Sequence, residues 1–376
     1  MTPRLSRQGN AGKAKRLQQR SPQNSFRRQI TLTALTAIGV AVALLGTLCW
    51  FALHFRSRLH TVDISTELGS SRPPQTRALE SNNLIAPVNL LLLGTDSPQS
   101  TSSPPKNQPS DTARSDTAML IHFHQGHQAA TVVSIPRDTL VARPPCRATT
   151  TKKTVPGKYS MFNTAYAVGG PTCTVKTVEA LTSLRIDHYL QVDFDGFIRV
   201  IDAIGGLDVT ITDPIRDPDS HADLPAGTQH INGSQSLSLV RTRKTIGNGS
   251  DIGRIQVQQA FFKALAAKIN QTNLLLDPIR LWVVAQDLAD AITTDTELAT
   301  PAKLANLARS AASLTADNLI MTTLPVHTDR NNPNRVVPQP GRAEKIWDAL
   351  RNDRLPSPSD MTPRDAQATK FEVIKQ

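Results

Sequence analysis

Aromatic side chains are scarce in this 376-residue chain: Phe, Tyr and Trp together make up 4% of it. That excludes the stacking platforms on which single-strand nucleic-acid binders hold bases. Cysteine is scarcer still, with three residues, too few for the disulfide framework of a small secreted domain. Acidic residues are missing from one place. Residues 1–28 hold Arg4, Arg7, Lys13, Lys15, Arg16, Arg20, Arg27 and Arg28 and no Asp or Glu. Of the 42 basic residues eight precede position 29, so 34 basic face 31 acidic side chains in the remainder. Eight of the eleven net charges therefore belong to the N-terminal arm, and the nearly neutral remainder is not a nucleic-acid-binding body. At 28 residues the arm is too short for a helix-turn-helix, and its expected partner is anionic lipid.

Charge of either sign is then absent over 24 residues, Ile30 to Leu53. At about 1.5 Å per helical residue, that run spans a bilayer core of about 30 Å with some tilt. Trp50 and Phe51 sit near one end, as interfacial anchors do. A cleaved signal peptide would have a shorter apolar core and a small-residue cleavage site, and HFRSRLH is a poor one. The basic arm before the run predicts a cytoplasmic N-terminus and export of the chain beyond residue 55. The expected organisation is a basic cytoplasmic arm (1–28), a single transmembrane anchor (29–54), a stalk (55–85), an extracytoplasmic domain (86–352) and a disordered tail (353–376) at the cell membrane. Cys49 falls in the span, whereas Cys146 and Cys173 fall in the exported, oxidising part, where two thiols can pair.

The exported part interleaves strand and helix patterns, which predicts an α/β (α+β layered) domain with a central mixed sheet flanked by helices. VNLLLL (88–93) reads as a strand buried on both faces. It delivers Asp96 at its C-terminal end, where ligands gather in open α/β sheets. Residues 118–124 and 129–135 read as a hairpin turning at Gln125-Gly126. Asp116 precedes the first strand and Arg137 follows the second, so the two are expected side by side. A plain salt bridge closing the hairpin is the bland reading. His122, His124 and His127 sit along the strands and at the turn; they are expected there by coincidence and not as a metal site.

The stretch 235–259, QSLSLVRTRKTIGNGSDIGRIQVQQ, carries Arg241, Arg243 and Lys244 on one side of a glycine-bearing turn, with Asp251, Arg254 and Gln258 on the other. Guanidinium groups bind phosphate oxygens through paired hydrogen bonds, so this set suits a ligand with several such oxygens; a solvated charged loop is the alternative. From Asp251 a helix is predicted. Asp251, Arg254 and Gln258 share its face at spacings of three and four, and Phe261, Phe262, Leu265 and Ile269 continue it. Packed core is the default for that apolar continuation, with a lipid-binding cavity left open.

Seven pieces in order resemble the LytR–CpsA–Psr family of membrane-anchored cell-wall phosphotransferases: NLLLLGTDS, RSDTAMLIHF, VVSIPRDTLV, NTAYAVGGP, VDFDGFIRVIDAIGGLDV, LPAGTQHINGSQSLSLVRTRK and SDIGRIQVQQAFFKAL. The positions of Cys146 and Cys173 look like those of actinobacterial members. The resemblance implies transfer of a glycopolymer phosphate from a polyprenyl-pyrophosphate carrier to a peptidoglycan hydroxyl. It implies that Asp96 and Asp116 hold Mg²⁺ (or Mn²⁺). It also implies that Arg137, Arg241, Arg243 and Arg254 clamp the pyrophosphate, with Gln258 and Asp251 completing the catalytic set. Hydrolysis of the same carrier, and a non-catalytic regulator or scaffold, are the alternatives. The chain departs from the family pattern at Pro98, at Met161 (two before Asn163) and at Val257, where a second helix arginine is usual.

Overall fold

The computed structural model describes residues 42, 46, 54–55, 57–76, 85–95, 115–242, 251–271, 278–315 and 317–361. Two compact units divide the chain, Met1–His54 and Phe55–Gln376. In the first, Val42, Gly46 and His54 are described, and all three are helical. The rest of the Ile30–Leu53 run lies outside the described residues, among which no helix is long and apolar enough to cross a membrane.

The second unit is built on a seven-stranded mixed sheet. Its strands are β1 (His60–Val62), β2 (Val88–Thr95), β3 (Ser115–Phe123), β4 (Ala130–Ser134), β5 (His188–Asp193), β6 (Ile292–Asp295) and β7 (Leu319–Thr323). Their order across the sheet is β1-β6-β5-β2-β3-β4-β7. The pairs β1/β6, β2/β5 and β4/β7 are parallel and the others antiparallel. The leucine run of β2 is central because both its faces are apolar. Leu91 and Leu93 enter one core with Leu120, Val133 and Tyr189. Leu90 and Leu92 face another with Met119, Val132 and Leu319. Over the first face lie α1 (Thr164–Thr182), through Val175 and Val178, and the C-terminal helix Pro340–Arg351, through Ile346, Trp347 and Leu350.

Three further helices bear on the site: α2 (Phe194–Ala203), α3 (Gly233–Arg241) and α4 (Asp251–Gln271). Helices α2, α3 and α4 enclose a second core with the hairpin Leu207–Ile211/Gly227–Ile231. Ile201, Leu207, Leu239, Val257 and Phe261 are buried in it. Phe262 and Ala266 of α4 pack against the sheet's other core instead, so α4 is wedged between two apolar layers. The apolar face beyond Gln258 is thus packed in this structure. Helix α3 crosses α2 at close quarters, which Gly233 permits: a Cβ there would lie 2.3 Å from the Ile198 carbonyl oxygen.

Some expectations need correction. Residues 57–76 do not stand apart as a stalk. His60–Val62 is an edge strand, Leu59, Ile64 and Leu68 are buried, and Arg72 Nη2 pairs with Glu179 at 2.6 Å. Nor does the tail begin at 353, because Asp353 is buried; residues 362–376 lie outside the described set. Pro278–Ala291 is helical and leads directly into β6, a helix–strand pair without a clear periodic signature in the sequence. Cys146 and Cys173 form a disulfide, with Cα atoms 5.5 Å apart.

Candidate active site

Strand directions gather several chain ends on one edge of the sheet. β2, β4, β5 and β7 finish there, and β3 begins there. Thr95 pairs with Ser115 on one side, across a bulge after Gly94, and with Asp193 on the other. Asp96 follows Thr95 directly but lies outside the described residues. Asp116 is in β3; its side chain is likewise outside them. The backbone pairing of Thr95 with Ser115 places the end of β2, just before Asp96, beside the start of β3, at the usual strand spacing of about 4.8 Å.

Arg137 reaches the same edge through the hairpin. The Ile135 N–H donates to the Ala118 carbonyl at 2.9 Å, and Asp116 and Arg137 each stand two residues beyond that bond. Among the described residues, Arg137 Nε stands 3.6 Å from Oδ2 of its neighbour Asp138. The Arg137 carbonyl accepts from the Asn163 N–H at 3.2 Å, which joins it to the start of α1. Asn163 itself is 4% exposed, and its Oδ1 is a buried acceptor with no hydrogen-bond partner among the described residues. Such an atom calls for an explanation. Met161 pairs with Leu140 at one end of a short antiparallel pair whose other end holds the exposed Lys158 opposite Arg143.

Arg241 occupies the last turn of α3 and not a loop. Asn232 and Gln235 start that helix with a reciprocal capping box. The Arg241 guanidinium carbon stands 4.6 Å from the centre of the Phe194 ring, a cation–π contact. Phe194 opens α2 immediately after β5, where Asp193 Oδ1 accepts from the Gly196 N–H at 2.6 Å. Arg241 is therefore held at the edge where β5 ends. Thr242 is fully buried and bonds Ser220 Oγ and the Ser238 carbonyl, each at 3.0 Å. It pins the chain at the entrance to 243–250. Arg243 lies in that stretch, outside the described residues.

From α4 come Arg254 and Gln258, 3% and 6% exposed; the side chain of Asp251 is outside the described residues. Gln258 Nε2 donates to Thr117 Oγ1 at 3.0 Å and to the Val240 carbonyl at 3.2 Å. One amide thus ties α4 both to the start of β3, one residue from Asp116, and to the end of α3, one residue from Arg241. The helix face that carries Arg254 and Gln258 is turned to the same sheet edge. Val257 points the other way, 1% exposed among Leu239 and Phe261, which gives a physical reason for a valine here: an arginine would have to enter an apolar core.

Beneath β2 runs a polar relay that no motif in the sequence announces. Gln191 Nε2 donates to Thr95 Oγ1 at 3.1 Å. Gln191 Oε1 accepts from Tyr166 Oη at 2.8 Å and from Tyr189 Oη. Burial, with Tyr166 alongside, pushes the Tyr189 hydroxyl well up, so it remains a donor. The relay fixes the last residue before Asp96. Its signal was Gln191 in the middle of the strand HYLQVD, a polar residue that must find partners when buried. Phe194 and Asn163 were legible only as members of motifs.

A cavity of about 250 Å³ lies at the opposite edge, lined among others by Arg72, Arg185, Asp187, His188, Asp295 and Lys303. None of the arginines or aspartates that the sequence singles out borders it. The candidate site therefore rests on convergent charge at the carboxyl edge and not on cavity size. His122 and His124 also lie away from that edge. They are not coincidental neighbours of a turn, since both contact Asp353.

The LytR_cpsA_psr family model matches residues 52–352. The "Probable cell wall biosynthesis protein LcpB" of Corynebacterium glutamicum is 31% identical over 269 residues, 70% of this chain and 57% of that protein. The "Polyisoprenyl-teichoic acid--peptidoglycan teichoic acid transferase TagU" of Bacillus mycoides is 32% identical over 212 residues, 54% of this chain and 62% of that one. The chain thus spans less than two thirds of either relative. Among solved structures, the "LytR-Csp2A-Psr enzyme from Actinomyces oris" superposes with a TM-score of 0.56 at 23% identity, covering 78% of this chain and 96% of that one. At that identity the likeness speaks for the fold.

Proposed function

Because the chain belongs to the LytR–CpsA–Psr family, we propose that it transfers a glycopolymer phosphate from a polyprenyl-pyrophosphate carrier to a peptidoglycan hydroxyl. One observation carries this reading. Arg137, Arg241 and the Arg254–Gln258 face of α4 come from three separate elements to the sheet edge where the Asp96 and Asp116 segments meet. In the reaction the acceptor oxygen bonds to the phosphorus that bears the glycopolymer. The anhydride P–O bond breaks, polyprenyl phosphate leaves, and the hydroxyl proton is released to solvent.

Phosphoryl transfer needs little covalent help from a protein; positioning and charge neutralisation dominate. Arginines at the edge supply the second. Asp96 follows β2 and Asp116 belongs to the neighbouring β3; carboxylates offer oxygen donors, which suit Mg²⁺ or Mn²⁺ better than softer cations. Asp96 and Asp116 would hold that ion, which would neutralise charge on the pyrophosphate. The charge-free run 30–53 behind a basic arm supports a single-pass anchor that keeps the site beside a lipid-linked donor. The name of the related teichoic acid transferase supports a glycopolymer as the group transferred.

The test is transfer from a polyprenyl-pyrophosphate-linked glycan to peptidoglycan by the purified full chain with Mg²⁺. Arg243→Ala and Asp96→Ala should each lower the rate by about a hundredfold or more. Phosphate release that proceeds without acceptor and is not suppressed by it would make the protein a hydrolase. Unchanged transfer in both variants would sink the catalytic reading.

A further inference from the structure

At the sheet edge opposite the candidate active site, three side chains from separate parts of the chain converge. His122 lies near the end of β3, His124 just after it, and Asp353 just beyond the helix Pro340–Arg351. They are 0%, 7% and 7% exposed. His122 Nε2 and His124 Nδ1 stand 3.0 Å and 2.9 Å from one and the same oxygen, Asp353 Oδ1. The donor atoms of the three residues all lie within 4.8 Å of one another.

The surrounding hydrogen bonds orient the His122 ring. Asn89 Nδ2 donates to the Arg185 carbonyl at 2.9 Å and to Thr76 Oγ1 at 3.0 Å. That leaves Asn89 Oδ1 to accept from His122 Nδ1 at 2.7 Å. His122 Nε2 is thereby turned toward Asp353 Oδ1, and His124 Nδ1 meets the same oxygen. A cation bound among the three would engage all of these donor atoms at once.

We propose that the cluster holds a divalent transition-metal cation of the zinc type, ligated by His122 Nε2, His124 Nδ1 and Asp353 Oδ1. Two imidazoles and a carboxylate are the donors such ions take, whereas Mg²⁺ prefers oxygen alone. Each far ring nitrogen is already aimed at an oxygen: Asn89 Oδ1 for His122 and, at 2.9 Å, Thr131 Oγ1 for His124. Ligating histidines are oriented in this way. The Gln125 N–H donates to Asp353 Oδ2 at 3.1 Å, which turns Oδ1 toward the histidines. Tetrahedral ligands at metal–donor distances of about 2.0–2.1 Å lie about 3.3 Å apart, so the two short contacts need open by only a few tenths of an ångström. The ion would tie the segment after the last helix to the end of the central hairpin, far from the transfer chemistry.

The experiment uses the full chain, stripped with chelator and then dialysed against Zn²⁺ or Co²⁺. Metal per chain is counted by mass spectrometry of the elements, and the Co²⁺ form is examined in the visible. The expected result is about one ion retained per chain, cobalt bands of a four-coordinate N/O site, and a Tm higher by about 5 °C in a hundredfold excess of Zn²⁺ over Kd. Asp353→Asn and His124→Gln lose the ion, while His230→Gln, at an exposed histidine paired with Asp208, keeps it. Wild-type chain that retains no metal and shows no cobalt bands overturns the proposal. Retention by Asp353→Asn equal to wild type overturns it as well. Should that variant fail to fold, the wild-type cobalt spectrum decides alone.

Discussion

Replacing Gln258 with leucine removes the one amide that links three parts of the candidate site while keeping nearly the same volume. Two hydrogen bonds are lost, to Thr117 Oγ1 at 3.0 Å and to the Val240 carbonyl at 3.2 Å. Each is worth about 1 kcal/mol net, so the variant should lose about 2 kcal/mol of stability. For a domain of this size that lowers Tm by about 4–8 °C. With about 5–15 kcal/mol in hand, the protein stays folded at 25 °C. Transfer activity should nevertheless fall by about tenfold to a hundredfold, because Val240 precedes Arg241 and Thr117 follows Asp116, and misplacing clamp residues by about an ångström is costly. Thermal denaturation gives the first number and transfer from a lipid-linked donor at 25 °C the second. Gln258→Glu serves as a second variant: its carboxylate can donate to neither Thr117 Oγ1 nor the Val240 carbonyl and could only accept from the Thr117 hydroxyl, the reverse of the native bond. A normal rate in the leucine variant despite the lower Tm would show that Gln258 is a structural staple only. An unchanged Tm would refute the hydrogen-bond account itself.

Gly233→Ala should cost about 3 kcal/mol or more and lower transfer activity, because its Cβ would meet backbone of α2 at 2.3 Å; soluble yield and Tm report it, and a Tm within about 1 °C of wild type would contradict the close crossing of α2 and α3. Serine at both Cys146 and Cys173 opens a loop of 27 residues and should cost about 3 kcal/mol in chemical denaturation; no loss would mean that the bridge adds nothing to the fold. Asp295 predicts a pH effect. Burial raises its pKa, but hydrogen bonds from His188 and from the Tyr189 and Leu298 N–H groups outweigh that and leave it below the ordinary value. A depressed carboxyl contributes stability that is present above the unfolded pKa, about 3.9, and is lost as pH falls through the folded value. Asp295→Asn should therefore be less stable than wild type at pH 7, the gap closing below about pH 4; a gap independent of pH would contradict the assignment.

Much of the fold could be read from local pattern. The leucine run 88–93 is apolar on both faces and had to be a central strand. The hairpin 118–135 alternates around Gly126, and the helix from Asp251 carries its polar and apolar residues at helical spacing. Family membership was legible for a similar reason, since it rests on ordered local motifs. Where period was weak the reading failed. His60–Val62 is three residues long and gains its place only by pairing with β6, more than 230 positions away. The helix that ends at Arg241 was not foreseen, because no periodicity marks a helix of nine residues ending in an arginine.

What only the tertiary structure decided is which side chains meet. Sequence identifies Arg137, Arg241, Arg254 and Gln258 as residues suited to phosphate, but not that Gln258 bonds one strand and one helix end at once. Nor does it show that Val257, four residues before Phe261, belongs to the core while Gln258 belongs to the site. Facing on a helix is set by rotation about its axis, and that rotation is fixed by packing. The same holds for His122, His124 and Asp353. The two histidines are visible as near neighbours in sequence, but the carboxylate that joins them lies some 230 positions on. A contact of that range carries no local signal, because it exists only once the sheet and the last helix have packed.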